Sequence, residues 1–129
     1  MTQNEAVKKL KNRVIEKHNE FVDSLESVRT IIEGTNVSDE LKNKIFSVID
    51  DISVTESEYV DKKIQNINTE DSEMLEIFTD KDEFTNLLMK SIDTDFELFR
   101  SQIKMVSSLF GNISEIQQHI CEQLKNIFN

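Results

Sequence analysis

The stretch "FTNLLMKSIDTDFELFRSQIKMVSSLF", Phe84 to Phe110, decides what this chain folds into. Within it Phe84, Leu88, Ile92, Phe96, Phe99, Ile103, Val106 and Phe110 follow one another at steps of three and four. That spacing places them on one side of an α-helix, because side chains three or four residues apart stack on the same face. It is the longest regular apolar stripe in the chain and is expected to form the backbone of the core.

Gly111 and Asn112 interrupt the stripe, after which Ile113, Ile116, Ile120, Leu124 and Ile127 resume it. The last segment is therefore expected to be either a fourth helix or a bent extension of the third. Toward the N-terminus, Val7, Leu10, Val14, His18 or Phe21, Leu25, Val28 and Ile32 mark a first helix, with Val22 and Ile31 widening the stripe. Thr2 and Glu5 have the spacing of a capping box. Gly34 is expected to close this helix in the left-handed conformation that glycine tolerates. Ser38 can cap a second helix, with Asp39 and Glu40 in its first turn, where the helix dipole favours negative charge. That helix carries Leu41, Ile45, Val48 or Ile49, Ile52, Tyr59 or Val60, Ile64 and Ile67. Around residues 53–58 its stripe has a gap, filled by Thr55 and Glu56.

The composition agrees with the periodicity. The 129 residues include no proline and two glycines, so helix breakers are nearly absent and the turns a sheet requires are scarce. The expected fold is all-α: one domain over 1–129, an up-and-down antiparallel bundle of three long helices plus one or two shorter ones. Twenty-five acidic residues against fifteen basic ones give a net charge of −10, which repels nucleic-acid phosphates and anionic membrane surfaces. The single cysteine, Cys121, has no internal disulfide partner, and the N-terminus lacks the apolar run of a secretory signal. A cytoplasmic setting is expected. No apolar run approaches the roughly 18 residues of a membrane span.

Catalytic and cofactor chemistry finds little footing. "DKDEF" at Asp80 and "DTDFE" at Asp93 supply alternating oxygens but lack the glycine a calcium loop needs for its sharp turn. Ile15 and Ile116 stand where a diiron carboxylate bundle would place the Glu of its Glu-x-x-His pairs, three residues before His18 and His119. His119 and Cys121 are two apart on a helix and diverge. No glycine-rich phosphate loop, nucleophile elbow or Cys-x-x-Cys pair occurs. The expectation is a protein without enzymatic activity, cofactor or metal.

His18 stands on the apolar stripe of the first helix. Folding the second helix back over residues 34–38 brings His18 level with residues 54–56. A polar layer of His18, Thr55 and Glu56 is expected there, serving to fix helix register. The acidic stretch "NTEDSEMLEIFTDKDEF", Asn68 to Phe84, reads as a place where helices begin: Asn68 or Thr69 can cap a short helix, and Thr79 with Asp82 repeats the capping spacing for the long one.

What remains is binding. Phe78, Phe84, Met89, Leu98, Met105 and Phe128 fall beside the main stripes and form a candidate apolar edge, since Met and Phe suit adaptable contacts. The acidic corner with Asp80, Asp82 and Glu83 lies next to it, so Phe78, Asp80, Asp82, Glu83, Phe84, Met89 and Met105 are the candidate partner-binding residues. The basic run Lys8, Lys9, Lys11, Arg13 and Lys17 is a solvated face that could dock an acidic partner. The expected function is a protein-binding module acting as adaptor, chaperone or inhibitor, with a homodimer as one form of that binding. Two alternatives stand beside it. One is an acidic mimic that blocks a nucleic-acid-binding protein with the carboxylates of 50–61 and 70–83; the other is a carboxylate-metal enzyme.

Overall fold

A computed structural model describes residues 1–128, with the backbone alone at Phe128. Among the described residues the protein is all-helical, without strands. The elements are α1 (Gln3–Glu33), α2 (Asp39–Asn66), a π-turn (Ile67–Asp71), α3 (Ser72–Ile77) and α4 (Lys81–Phe128).

The helix starts follow from side-chain oxygens that satisfy backbone N–H groups left free in a first turn. The Thr2 hydroxyl accepts from the Glu5 amide at 3.1 Å, and the Ser38 hydroxyl accepts from the Leu41 amide at 3.2 Å. Gly34 closes α1 in the right-handed region, φ −78° and ψ −7°, so the left-handed cap expected there does not form. Its amide bonds the carbonyls of Thr30 and Ile32, which finishes the helix with a tightened turn that needs no positive φ.

The acidic stretch differs more from its expected course. Neither Asn68 nor Thr69 caps a helix, because α2 does not stop there. One extra residue is taken up as the π-turn, and the Ser72 amide bonds back to the Ile67 carbonyl, so the backbone ladder carries on into α3. The Thr69 hydroxyl spends its proton on the Gln65 carbonyl instead. Gln3 of α1 fastens the reversal by donating to the carbonyl and hydroxyl of Ser72 at 2.7 and 3.0 Å. At the next start the cap lies one residue later than Thr79: the Asp80 carboxylate accepts from the Glu83 amide at 3.0 Å.

Contacts run between every pair of long helices. Arg29 with Asp50 and His18 with Glu56 join α1 to α2, numbers rising in one as they fall in the other. Arg13 with Asp93 and Phe21 with Phe99 join α1 to α4, numbers rising in both. The buried residues form two clusters. One holds Ala6, Leu10, Val14, Ile67, Leu75, Ile92 and Phe96; the other holds Phe21, Leu25, Ile32, Ile45, Ile49, Ile103 and Phe110. Burying one large aliphatic side chain contributes about 2 kcal/mol, so the core rests on these few residues.

α4 passes through Gly111 and Asn112 without a break. An added Cβ at Gly111 would meet nothing within 4 Å, so the glycine faces open space and allows neither a turn nor a close approach. With 48 residues against 31 and 28 in α1 and α2, α4 outruns both. The loop around Val37 reaches Gln117 and Cys121, and from Gln118 to Ile127 every residue is exposed. Ile116, Ile120, Leu124 and Ile127, expected to continue the core, are therefore solvent-facing.

Candidate functional site

The gap in the apolar stripe of α2 is filled by a buried ionisable pair. Glu56 is fully buried, and both its carboxyl oxygens lie 2.7–2.8 Å from Nδ1 of His18. A single proton bridges the two groups: Nδ1–H donates to an ionised carboxylate, or a neutral carboxyl donates to Nδ1. Burial raises the Glu56 pKa, while the His18 hydrogen bond and charge pull it back down. Thr55 does not join the layer. It lies about 100° round the helix from Glu56, is exposed, and donates to the Asp51 carbonyl at 3.0 Å.

Two further polar ties flank the same level. The Arg13 guanidinium donates twice to Asp93, 2.7 Å each, and the pairing lowers the Asp93 pKa. The Tyr59 hydroxyl donates to Asp95 at 2.6 Å, with its pKa raised by burial and by that carboxylate. Each tie joins a different pair of long helices, and Phe99, which packs against both apolar clusters, lies at the same level. Of the carboxylates considered for calcium, Asp93 and Asp95 are taken up by Arg13 and Tyr59, and Asp80 by the Glu83 amide. Among the described residues no group of three or more His, Cys, Asp or Glu could hold a metal ion. A depression beside Asp93, lined also by Lys17, Phe21 and Arg100, has a volume of about 30 Å³, and larger, open ones flank the layer at Arg13 and at Thr55.

The candidate partner-binding residues do not converge. Phe78 stacks on Phe84 with ring centres 4.4 Å apart, Asp80 caps α4, and Asp82 and Glu83 are exposed in its first turn. These five lie at one end of the molecule. Met89 is half-buried against the first cluster, next to Lys9 and Arg13 of α1. Met105 lies far along α4 on another side, 71 % exposed, and Leu98 shares its side. The Phe128 side chain lies outside the described residues. The carboxylates proposed as phosphate mimics are partly committed inside the molecule: Asp50 to Arg29, Glu56 to His18 and Asp80 to the helix start.

Of the outward side of α4 the sequence reading named Leu98 and Met105 alone as binding residues. Leu87, Leu98, Leu109 and Ile120 recur every eleven residues, and so do Met105, Ile116 and Ile127. All seven are between 52 % and 71 % exposed. Eleven residues make three turns of 3.67, close to the helix's own 3.6, so both columns hold one face along about 60 Å of helix. The eleven-residue interval was the available signal, masked by the stronger three-four stripe beside it. A shallow groove formed by Ile52 and Thr55 of α2 with Gln102, Met105 and Val106 opens along this face.

No family model matches the chain, and neither a curated protein nor a solved structure matches it. No helix among the described residues is long and apolar enough to cross a membrane.

Proposed function

We propose that this chain is a non-enzymatic protein-binding module, an up-and-down bundle of three long helices in a single domain that acts as adaptor, chaperone or inhibitor. The observation that carries the reading is the aliphatic face of α4. Seven large apolar side chains stand exposed along one face of this helix, interleaved with Ser91, Thr94, Gln102, Asn112 and Gln123. A helix face with regularly spaced apolar anchors is a recurring means of gripping another helix. The polar layer serves as a register device, since its three pairs tie all three long helices to one another. An exposed free thiol at Cys121 suits a reducing, cytoplasmic compartment.

The test is association through α4, of either kind: capture from native lysate, and sedimentation of the purified protein. Each is run on the natural sequence and on the double variant Leu98→Glu with Leu109→Glu. Both positions are exposed, so the substitutions leave the fold intact. Loss of associated protein in either measurement is the expected result. A double variant indistinguishable from the natural chain in both removes the reading.

A further inference from the structure

We propose that the aliphatic face of α4 pairs with the same face of a second copy of this chain, the two helices antiparallel about a two-fold axis at the level of Ser107. This rests on the protein-binding reading above and names the partner.

Three observations single out a second copy. The first is register. An antiparallel alignment centred on Ser107 sets Leu87 level with Ile127 of the second copy, Leu98 with Ile116, and Met105 with Leu109. Six of the seven exposed side chains find one another in that alignment, and the seventh, Ile120, meets Thr94. An alignment centred between Asn112 and Ile113 also pairs six, but it sets Leu87 opposite no described residue, so the Ser107 register is the one that uses the whole face. A two-fold interface requires such self-complementarity, because each contact must occur twice. The same alignment lays the segment Leu87–Leu98 of one copy over the last turns of α4 in the other, where α1 and α2 no longer reach.

The second is charge. Lys90, Glu97, His119 and Glu122 lie along the flank of the face away from α2, and an antiparallel pair brings equal flanks together. Lys90 then lies within two residues of the level of Glu122 of the second copy, an opposite-charge pair, and Glu97 within two of His119, where an imidazole N–H can donate to the carboxylate. Each pair occurs twice.

The third is area. At on the order of 100 Å² exposed per side chain, the seven offer about 700 Å² per copy, near the roughly 800 Å² per partner of a standard interface. The groove beside Met105 opens at the level where Leu109 of the second copy would enter it.

The experiment uses the full chain. Sedimentation from micromolar to hundreds of micromolar concentration is expected to give a dimer. Leu98→Glu with Leu109→Glu, its helicity checked by circular dichroism, is expected to weaken association about a hundredfold, since each leucine opposes a residue of the same apolar face. Register is read by crosslinking in a Cys121→Ser background. Asn86→Cys chains mixed with Asn126→Cys chains and treated with a short bismaleimide are expected to join position 86 to position 126. Joining of like positions would mean a parallel pair and overturn the register. A monomer at the highest concentration, or a dimer indifferent to the glutamates, would overturn the pairing. A monomer that still captures another protein through Leu98 and Leu109 leaves the protein-binding reading standing; one that captures nothing through them removes both.

Discussion

Glu56 depends on one side chain for both of its carboxyl oxygens, and that dependence makes His18 the most sensitive polar residue in the molecule. His18→Leu is expected to cost about 2–4 kcal/mol at neutral pH, because it strands a buried carboxylate without its donor. The pH dependence follows from the direction of the Glu56 pKa. With the folded value raised above the unfolded one, the carboxyl favours folding most below the unfolded pKa, and that contribution is lost as pH rises through the folded value. Removing His18 removes the two influences that hold the value down. The deficit of the variant should therefore be small in acid and grow toward neutral pH. Urea unfolding across that range measures it, and a deficit independent of pH would contradict the assignment. Adding Glu56→Leu should recover most of the loss, since an apolar pair of similar volume carries no stranded charge. This pair was legible because a gap in one helical stripe and a histidine in the other fall at one level when the chain doubles back. Thr55 was misjudged for an equally local reason: adjacent residues on a helix point about 100° apart, so a gap two residues wide buries only one of them.

Between Phe84 and Phe110 the three-four spacing and the buried positions agree, Ile92, Phe96, Ile103 and Phe110 being the innermost. Past Phe110 the same spacing continues through Ile113, which is half-buried, and then through Ile116, Ile120, Leu124 and Ile127, which are left exposed. Periodicity records which side chains share a face and says nothing of whether another helix is long enough to reach them. The lengths of α1 and α2 decide that. Gly111 misled in the opposite direction, since glycine lowers helix propensity without forbidding the helix. Because its surroundings are open, Gly111→Ala is expected to stabilise the protein by about 0.5–1 kcal/mol, by removing unfolded-state freedom without a clash. Thermal unfolding with calorimetry would register it, and a lower melting temperature would show that the glycine serves a bend absent here. The π-turn could not be read from the sequence at all. "INTED" contains ordinary helix-compatible residues, and the extra residue is accommodated only because Ile67 and Leu75 must both face the core.

At the scale of the whole molecule the charge of −10 opposes the pairing of two copies, while the contacts that would drive it are apolar. Repulsion of this kind extends about 30 Å at 0.01 M salt and about 8 Å at 0.15 M. Self-association is therefore expected to tighten several-fold as salt is raised over that interval, read by sedimentation. A steep weakening would mean that ionic contacts such as Lys90 with Glu122 dominate the interface. The all-helical architecture was legible in composition and periodicity together, because a chain without proline and with two glycines leaves few places to turn. The outward face of α4 was not, since no single window of sequence distinguishes a stripe that folds inward from one that awaits another chain.

The unbroken passage of α4 through Gly111 makes that helix a torsional reference. Its last buried side chain among the described residues is Ser114. One residue added between Ser114 and Ile116 would leave every core contact in place, yet swing Ile116, Ile120 and Ile127 by about 100° away from Leu87, Leu98 and Leu109. The length of this segment is thereby constrained as a phase, counted in residues, as tightly as its composition is constrained by hydropathy.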